Sequence, residues 1–176
     1  MQIDAMLGAK LKPIKLLVMD VDGILTNGTL SFLADGTEVK TFSILDGLGL
    51  KLLMQTGVET AIITGRSSPQ VELRAQSLGI TYTQQGREDK LTALKELWAR
   101  TGYSAANTAY IGDDLPDLSA IKACSFGATV PNGYWLVREE ADWISQAAGG
   151  TGAVRELCDL IMMAQGSLES ALEAYR

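Results

Sequence analysis

The sequence predicts an α/β fold, with a doubly wound parallel β-sheet and helices on both of its faces. Short, nearly unbroken apolar runs such as 14–20 (IKLLVMD) and 58–64 (VETAIIT) are typical of strands buried on both faces of a parallel sheet. Segments with a helical pattern separate these runs at the spacing of β-α-β units, whose crossover helices cover the sheet. The predicted architecture is therefore Rossmann-like.

Each predicted element has a local signal in the sequence. The helices at 48–55 and 88–101 are closely followed by a glycine, a residue that often ends helices, and Pro69 stands near the first turn of another helix. Asp35-Gly36 between two alternating runs predicts a projecting β-hairpin with one face in water. We predict strands at 14–20, 29–33, 37–42, 58–64, 80–83, 108–111, 125–130 and 142–144. We predict helices at 48–55, 67–79, 88–101, 116–122 and 153–165.

The composition excludes several classes of function. A chain of 176 residues without an internal repeat or long linker suits one domain. The net charge is −6 and the basic residues are dispersed, which argues against a nucleic-acid partner. The chain has no histidine, so Ser-His-Asp triads, Cys-His pairs and histidine general bases are excluded. Any catalysis must use carboxylates, lysine, arginine and hydroxyl groups.

The sequence predicts a soluble, cytoplasmic protein with no membrane partner. Residues 1–4 (MQID) include an early acid and no long apolar core follows them, so no signal peptide is expected. The apolar runs are far shorter than the ~20 residues of a membrane span. Cys124 and Cys158 have no paired spacing and lie among apolar residues, which indicates free, buried thiols in a reducing compartment.

Acidic residues stand at the ends of predicted strands. Asp20 and Asp22 follow the first apolar run, and Asp113 follows the run 108–111. Open parallel sheets bind their ligands at the carboxyl ends of the strands. Carboxylates held close together repel one another unless a cation compensates, and Mg²⁺ with oxygen ligands is the simplest such cation. The sequence therefore predicts a Mg²⁺ site at this edge, with Gly23 allowing a tight turn away from it.

Two further segments suit the binding of an anion. Thr64 ends a predicted strand and can donate a hydrogen bond to a phosphoryl oxygen, while Gly65 permits a close backbone approach. Arg66 can make a bidentate contact with a substrate carboxylate or phosphate. Lys90 lies near a predicted helix N-terminus, where the helix dipole disfavours a cation, so its position makes sense if it supports an anion. A helix cap for Thr64 and solvated surface side chains for Arg66 and Lys90 are the alternatives.

These segments resemble the four motifs of the haloacid dehalogenase superfamily, in the same order along the chain. The matching segments are 18–26 (VMDVDGILT), 62–66 (IITGR), Lys90 and 112–117 (GDDLPD). In the phosphatases of this superfamily, the first Asp of the first motif attacks phosphorus and forms an aspartyl-phosphate. The second Asp protonates the leaving oxygen and then activates water. The resemblance therefore implies an α/β phosphatase that depends on Mg²⁺.

The resemblance implies a role for each matching residue. Asp20 is the implied nucleophile and Asp22 the general acid and base, while Thr64 and Lys90 hold the phosphoryl group. The implied Mg²⁺ ligands are the Asp20 carboxylate, the Asp22 carbonyl group and Asp113. The implied substrate-binding residues are Thr26, Asp46, Gly47, Gly65 and Arg66. The implied supporting residues are Asp117, which orients Lys90 or holds a water, and Asp114, which belongs to the metal shell or caps a helix.

Over residues 10–166 the chain resembles one branch of the superfamily, the 3-deoxy-D-manno-octulosonate 8-phosphate phosphatases. The segments that carry this resemblance are 20–28 (DVDGILTNG), 40–53 (KTFSILDGLGLKLL) and 148–166 (AGGTGAVRELCDLIMMAQG). The branch has no separate cap domain, and residues 22–90 leave no room for one, so 1–176 is one domain. The resemblance implies a step of lipopolysaccharide precursor synthesis. It also implies a homotetramer, with hairpins (27–42) packed together and a flexible tail (166–176) over a neighbour's site.

Some segments depart from the pattern of this branch, namely Asn27, 131–135 and 145–148. A phosphatase of a related nine-carbon sugar acid phosphate is therefore an alternative. A non-catalytic assembly module of the same fold is a second alternative, although Asp20, Asp22 and Lys90 are all present. A phosphotransferase or mutase is a third, although such enzymes need a cover that excludes water.

Overall fold

The computed structural model describes residues 4–176. Residues 1–3, on which the prediction of no signal peptide partly depends, lie outside the described residues. The strands are β1 (Leu16–Met19), β2 (Ser31–Phe32), β3 (Glu38–Val39), β4 (Glu59–Ile63), β5 (Tyr82–Gln84), β6 (Thr108–Ile111), β7 (Phe126–Thr129) and β8 (Trp143–Ile144). Over residues 4–176, six of them form one sheet in the order β5-β4-β1-β6-β7-β8, and all pairs in it are parallel. Strands β2 and β3 form a separate antiparallel hairpin.

Helices cover both faces of the sheet, as predicted. The helices are α1 (Ala5–Leu11), α2 (Ile44–Gln55), α3 (Pro69–Leu78), α4 (Lys90–Thr101), α5 (Leu115–Ala123), α6 (Trp135–Glu140), α7 (Ala153–Ala164) and α8 (Leu168–Leu172). Two 3₁₀ turns lie at Ala105–Asn107 and Glu173–Tyr175. None of the helices in the described part of the chain is long and apolar enough to cross a membrane. The predicted α/β fold class is thus confirmed.

The side chains of β1 explain why its sequence is an unbroken apolar run. Leu17 and Met19 point into the core cluster that includes residues of α1, α2, α3 and α7. Leu16 and Val18 point into the opposite cluster, with residues of α4, α5 and α6. Because side chains of a strand alternate between the two faces, a strand covered on both faces is apolar at every position.

The strand order brings the carboxyl ends of three strands together. β1 lies between β4 and β6, and Met19 pairs with Ile62 on one side and Ile111 on the other. The chain segments that leave these three strands therefore start side by side at one edge of the sheet. This placement follows from topology alone and requires no special loop conformation.

The hairpin and the following helix differ from the prediction. Each strand of the hairpin has two residues rather than five or six, and large apolar side chains of the hairpin, such as Phe32 and Leu33, are exposed. Helix α2 begins at Ile44, because Ser43 acts as its N-cap and accepts a hydrogen bond from the Asp46 amide. Asp46 and Gly47 therefore lie inside the helix rather than at its start.

Three short helices were not predicted from the sequence. Helices α1 and α6 have seven and six residues, too few for a clear period of apolar positions. Helix α8 lies in the predicted flexible tail. Its residues Leu168, Ala171 and Leu172 share one helical face and pack against the larger core cluster.

Candidate active site

The three adjacent strand ends form one side of a cavity of about 290 Å³. Asp20 follows β1, Thr64 follows β4, and Asp113 lies just beyond β6. Lys90, the first residue of α4, also lines this cavity. The predicted site residues that line the cavity are Asp20, Asp22, Thr64, Gly65, Arg66, Lys90, Asp113, Asp114 and Asp117. Gly28, Glu88 and Pro116 complete the lining.

Lys90 is a buried cation held between two buried carboxylates. Its Nζ lies 2.9 Å from Asp20 Oδ1 and 2.7 Å from Asp117 Oδ1, and the Lys90 side chain is only 4% exposed. Burial alone would lower the pKa of Lys90, but the charges of Asp117 and Asp20 outweigh it and raise the pKa. Lys90 is therefore a permanent positive charge beside Asp20.

Asp117 fixes the position of Lys90 and also shapes the loop before α5. Its Oδ1 accepts hydrogen bonds from Lys90 Nζ and from the Tyr110 hydroxyl group, at 2.7 and 2.8 Å. Its Oδ2 accepts longer hydrogen bonds from the amides of Asp113 and Asp114. Of the two alternatives for Asp117, the geometry supports the orientation of Lys90. Asp114 is the N-cap of α5, which matches one of its two predicted roles.

The carboxylates of Asp20, Asp113 and Asp117 form a cluster that suits a divalent cation. One oxygen from each lies within 4.8 Å of the others. Burial, and next the charge of Asp117, raise the pKa of Asp20 and of Asp113 to about 7. Asp113 Oδ1 is buried and accepts no hydrogen bond from any residue in 4–176. A hard cation would both neutralise this cluster and satisfy that oxygen, so the residues fit Mg²⁺.

The Asp22 side chain faces a different set of partners. Lys40 on the hairpin forms an ion pair with Asp22 Oδ1, and Arg66 Nε lies 3.7 Å from Asp22 Oδ2. Glu38 lies between these two cations, 3.1 Å from Lys40 Nζ and 2.6 Å from an Arg66 terminal nitrogen. Asp22 is 23% exposed at the side chain and lines the cavity, outside the carboxylate cluster. It is therefore accessible to a substrate at the rim.

Three predicted substrate-binding residues lie outside the lining of the cavity. Thr26 is buried, and its hydroxyl oxygen accepts hydrogen bonds from the Gly23 and Gly28 amides, which stabilises the loop after β1. Asp46 is buried and its Oδ1 accepts a hydrogen bond from the Arg155 amide at the start of α7. An added side chain at Gly47 would meet Arg74, so this glycine permits close helix packing. The structure does not bring these three residues to the cavity of their own chain.

Several residues of the site were not identified from the sequence. Tyr110 lies inside a buried strand, and a tyrosine among apolar residues there is a signal that its hydroxyl group has a partner. Glu88 lines the cavity beside Gly65, where an added Cβ would lie 2.9 Å from a Glu88 carboxylate oxygen. Glu38 lies in the short strand β3 and Lys40 directly follows it, and charged residues at alternating positions also fit an ordinary solvated hairpin.

The fold and the site together define a haloacid dehalogenase-like enzyme. A family model described as haloacid dehalogenase-like hydrolase matches residues 85–157. That segment includes Lys90 and the carboxylates of residues 113, 114 and 117.

Full-length comparisons define the family more narrowly. The chain is 40% identical over 163 residues to the 3-deoxy-D-manno-octulosonate 8-phosphate phosphatase of Escherichia coli K12. This alignment covers 93% of this chain and 87% of that protein. The enzyme of this name from Moraxella catarrhalis was solved with a magnesium ion, a phosphate ion and a KDO molecule. It aligns with a TM-score of 0.96 and 48% identity, over 97% of this chain and 98% of that chain. A cobalt-bound phosphatase of this type from Haemophilus influenzae aligns with a TM-score of 0.90 and 40% identity, over 94% of this chain and 97% of that chain. The chain therefore belongs to the 3-deoxy-D-manno-octulosonate 8-phosphate phosphatase family, and it is a phosphatase.

Proposed function

We propose that this enzyme hydrolyses 3-deoxy-D-manno-octulosonate 8-phosphate through an aspartyl-phosphate on Asp20, with Mg²⁺ as cofactor, in lipopolysaccharide precursor synthesis. The observation that carries the proposal is the position of the Asp20 carboxylate, buried between the Lys90 ammonium group and the Asp113 carboxylate at the base of an open cavity. A carboxylate becomes an effective nucleophile toward phosphorus when nearby charges neutralise the phosphoryl oxygens. The relatives described above support the choice of substrate.

In the first step, an Asp20 carboxylate oxygen forms a bond to phosphorus as the bond from phosphorus to the sugar oxygen breaks. Asp22, in its protonated form, donates its proton to that leaving oxygen, so the sugar acid departs as an alcohol. Lys90, with Nζ 2.9 Å from Asp20, neutralises charge on the transferred group. Thr64, at the end of β4, lines the cavity and can donate a hydrogen bond to a phosphoryl oxygen.

In the second step, a water attacks phosphorus and gives its proton to Asp22. The bond between phosphorus and the Asp20 oxygen breaks, which releases inorganic phosphate and restores the carboxylate. The 23% exposure of the Asp22 side chain is consistent with access to this water. Each residue returns to its initial state, so the cycle needs no other reactant.

The carboxylates of Asp20 and Asp113 would hold the Mg²⁺ ion, and Asp117 lies close enough to support it. When bound, Mg²⁺ supplies positive charge that stabilises the transferring phosphoryl group. The Asp22 side chain is engaged by Lys40 instead, so any ligand from that residue would be its carbonyl oxygen, as the resemblance implies.

We predict that Mg²⁺ affinity increases with pH up to about pH 8, where both carboxyl groups are ionised. Burial and the neighbouring carboxylates raise the pKa of Asp20 and Asp113 to about 7, so both hold protons below that pH in the metal-free enzyme. Mg²⁺ must displace these protons, and the Kd should fall about tenfold between about pH 6 and about pH 8 for each carboxyl group that ionises. Calorimetric titration in two buffers of different ionisation enthalpy measures the affinity and the proton release.

The raised pKa values of Asp20 and Asp113 also predict how the stability of the metal-free enzyme changes with pH. A carboxyl group whose pKa is raised in the folded state stabilises the fold at low pH, and this contribution is lost as the pH rises through about 7. Added Mg²⁺ should therefore raise the Tm more at about pH 8 than at about pH 5.5. A Kd and a Tm increment that do not vary with pH would contradict the assignment of these carboxylates to the metal site.

A phosphate-release assay tests the proposed substrate. We expect hydrolysis of 3-deoxy-D-manno-octulosonate 8-phosphate that needs Mg²⁺, with a higher kcat/KM than for phosphates without a carboxylate. A nine-carbon sugar acid phosphate is the matched alternative, because it carries the same carboxylate. A higher kcat/KM for the nine-carbon compound would replace the proposed substrate. Transfer of phosphate to an added alcohol in preference to water would indicate a phosphotransferase, and no turnover at all would indicate a non-catalytic module.

The exposed hairpin supports a homotetramer as part of the proposal. Its apolar side chains Leu30, Phe32, Leu33 and Val39 are 42–60% exposed, which is unusual for a face that meets only water. Packing of these hairpins against one another would shield an open cavity from water. Residues 166–176 would cover a neighbour's site only after α8 left the core cluster of its own chain. The free thiols of Cys124 and Cys158 are consistent with a location in the cytoplasm.

A further inference from the structure

Two charged side chains of the hairpin turn toward the body of the protein, whereas the apolar ones are exposed. The Lys40 side chain is 3% exposed and the Glu38 side chain is 17% exposed. The Glu38 carbonyl group also accepts a hydrogen bond from Gln70 Nε2 of α3, at 2.8 Å. Glu38 is therefore fixed through its backbone by α3 and through its carboxylate by Lys40. This arrangement holds the Glu38 carboxylate next to Arg66, which lines the cavity.

The Glu38 carboxylate binds Arg66, a long side chain that among residues 4–176 is otherwise held only by the more distant Asp22 carboxylate. Arg66 lines the cavity, its side chain is 45% exposed, and a terminal nitrogen donates to Glu38 Oε2 at 2.6 Å. Long side chains such as arginine lose much rotamer freedom when a ligand fixes them. An arginine that is already held in place binds its ligand at a lower entropic cost.

The hydrogen bond to Glu38 leaves other N–H donors of Arg66 available for a ligand. A guanidinium group carries five N–H donors in a planar fork. Glu38 accepts a hydrogen bond from one terminal nitrogen, and Asp22 lies at the longer distance of 3.7 Å from Nε. The hydrogen bond from Arg66, and next the neighbouring Lys40 ammonium group, lower the pKa of Glu38, so Glu38 stays ionised and continues to bind the guanidinium group.

We propose that Glu38 is a positioning residue that holds Arg66 ready for the carboxylate of the substrate. It thereby makes the enzyme selective for sugar acid phosphates over phosphates without a carboxylate. This inference rests on the proposed function, in which Arg66 binds the carboxylate of a sugar acid phosphate. It adds that selectivity depends on a residue of the hairpin and not on Arg66 alone.

The test compares Glu38→Gln with the wild-type enzyme on two kinds of substrate. For 3-deoxy-D-manno-octulosonate 8-phosphate we expect a KM increase of about five- to tenfold, because charge-assisted hydrogen bonds are about twice as strong as neutral ones. We expect kcat to change less than about twofold, because Asp20, Asp22 and Lys90 are untouched. For p-nitrophenyl phosphate, which has no carboxylate, we expect unchanged kinetics.

Two further variants show whether Glu38 acts through Arg66. In an Arg66→Ala background, Glu38→Gln should have no additional effect on kcat/KM, because the residue it positions is gone. Asp35→Asn removes a charge from the tip of the same hairpin, where Asp35 contacts the Thr37 amide and not Arg66. This control should behave like the wild type with both substrates.

The outcomes separate the inference from the function on which it rests. An equal loss with both substrates, an additive effect in the Arg66→Ala background, or an unchanged or lower KM would overturn the role of Glu38. If the wild-type enzyme itself shows no preference for sugar acid phosphates of eight or nine carbons over p-nitrophenyl phosphate, then the proposed substrate class fails and this inference fails with it. A wild-type preference that Glu38→Gln leaves intact overturns the inference alone.

Discussion

Replacing Asp20 with asparagine is expected to reduce phosphatase activity by about 10³-fold or more, because the amide cannot form the aspartyl-phosphate. The change keeps the size of a side chain that is only 8% exposed, so the cavity keeps its shape. It also removes a carboxylate whose pKa is raised by burial and by Asp117, so the fold should not depend on its charge. Phosphate release in saturating Mg²⁺ measures the loss, and thermal denaturation without metal verifies the fold.

Asp22→Asn is the matched control for this variant. It changes a neighbouring carboxylate to an amide in the same loop, but leaves the nucleophile in place. With p-nitrophenyl phosphate, whose leaving group needs no general acid, Asp22→Asn should still form the phosphoenzyme and then hydrolyse it slowly. Acid-quenched samples should therefore contain phosphoenzyme for Asp22→Asn and none for Asp20→Asn. Near-full, Mg²⁺-dependent activity of Asp20→Asn would show that the nucleophile is another residue.

Lys90→Met is the second change with a large expected effect, on both activity and stability. Lys90 is the cation between Asp20 and Asp117, at 2.9 and 2.7 Å from them. Removing one partner of a buried ion pair costs about 3–5 kcal/mol of unfolding free energy, because the remaining charges are left uncompensated. The loss of charge beside the phosphoryl group should lower kcat by about 10²- to 10³-fold. Urea unfolding and phosphate release measure the two effects.

The control for Lys90→Met is Lys95→Met, on the same helix. Lys95 is exposed, so its replacement should change the unfolding free energy by less than about 0.5 kcal/mol and leave kcat unchanged. Added Mg²⁺ should restore part of the stability of Lys90→Met, because the ion neutralises the Asp20 carboxylate. A Lys90→Met enzyme as active as Lys95→Met would contradict the role of Lys90.

The sheet could be predicted from the sequence because burial on both faces makes its strands apolar throughout. β1 and β4 are examples, and the strand ends that carry Asp20, Thr64 and Asp113 follow directly from that pattern. The hairpin and α2 were less predictable, because a side-chain cap at Ser43 decides where α2 begins. One hydrogen bond at a helix end leaves little trace in the pattern of apolar residues.

Part of the candidate site could be predicted from the sequence. This was possible where a residue of a given type, placed at a strand end, has only one plausible function. The structure brings Asp20, Lys90 and Asp113 together, as the sequence predicted. It does not bring Asp46 to the cavity, because this carboxylate instead accepts a hydrogen bond from the start of α7, more than 100 residues along the chain. The contact of Lys40 with Asp22 was missed for a related reason. Lys40 directly follows the two-residue strand β3, and nothing in so short a segment reveals which loop its side chain will contact.

The loop that follows Asp20 packs against a segment near the end of the chain. A Cβ atom at Gly149 would lie 1.7 Å from the Gly23 carbonyl oxygen, and the Gly150 amide donates to the Ile24 carbonyl group at 2.8 Å. During synthesis on the ribosome, the nucleophile loop therefore obtains its backbone support only after about five-sixths of the polypeptide has emerged. A truncated product that stops before residue 149 would contain every catalytic side chain and yet lack the backing that shapes the loop around Asp20.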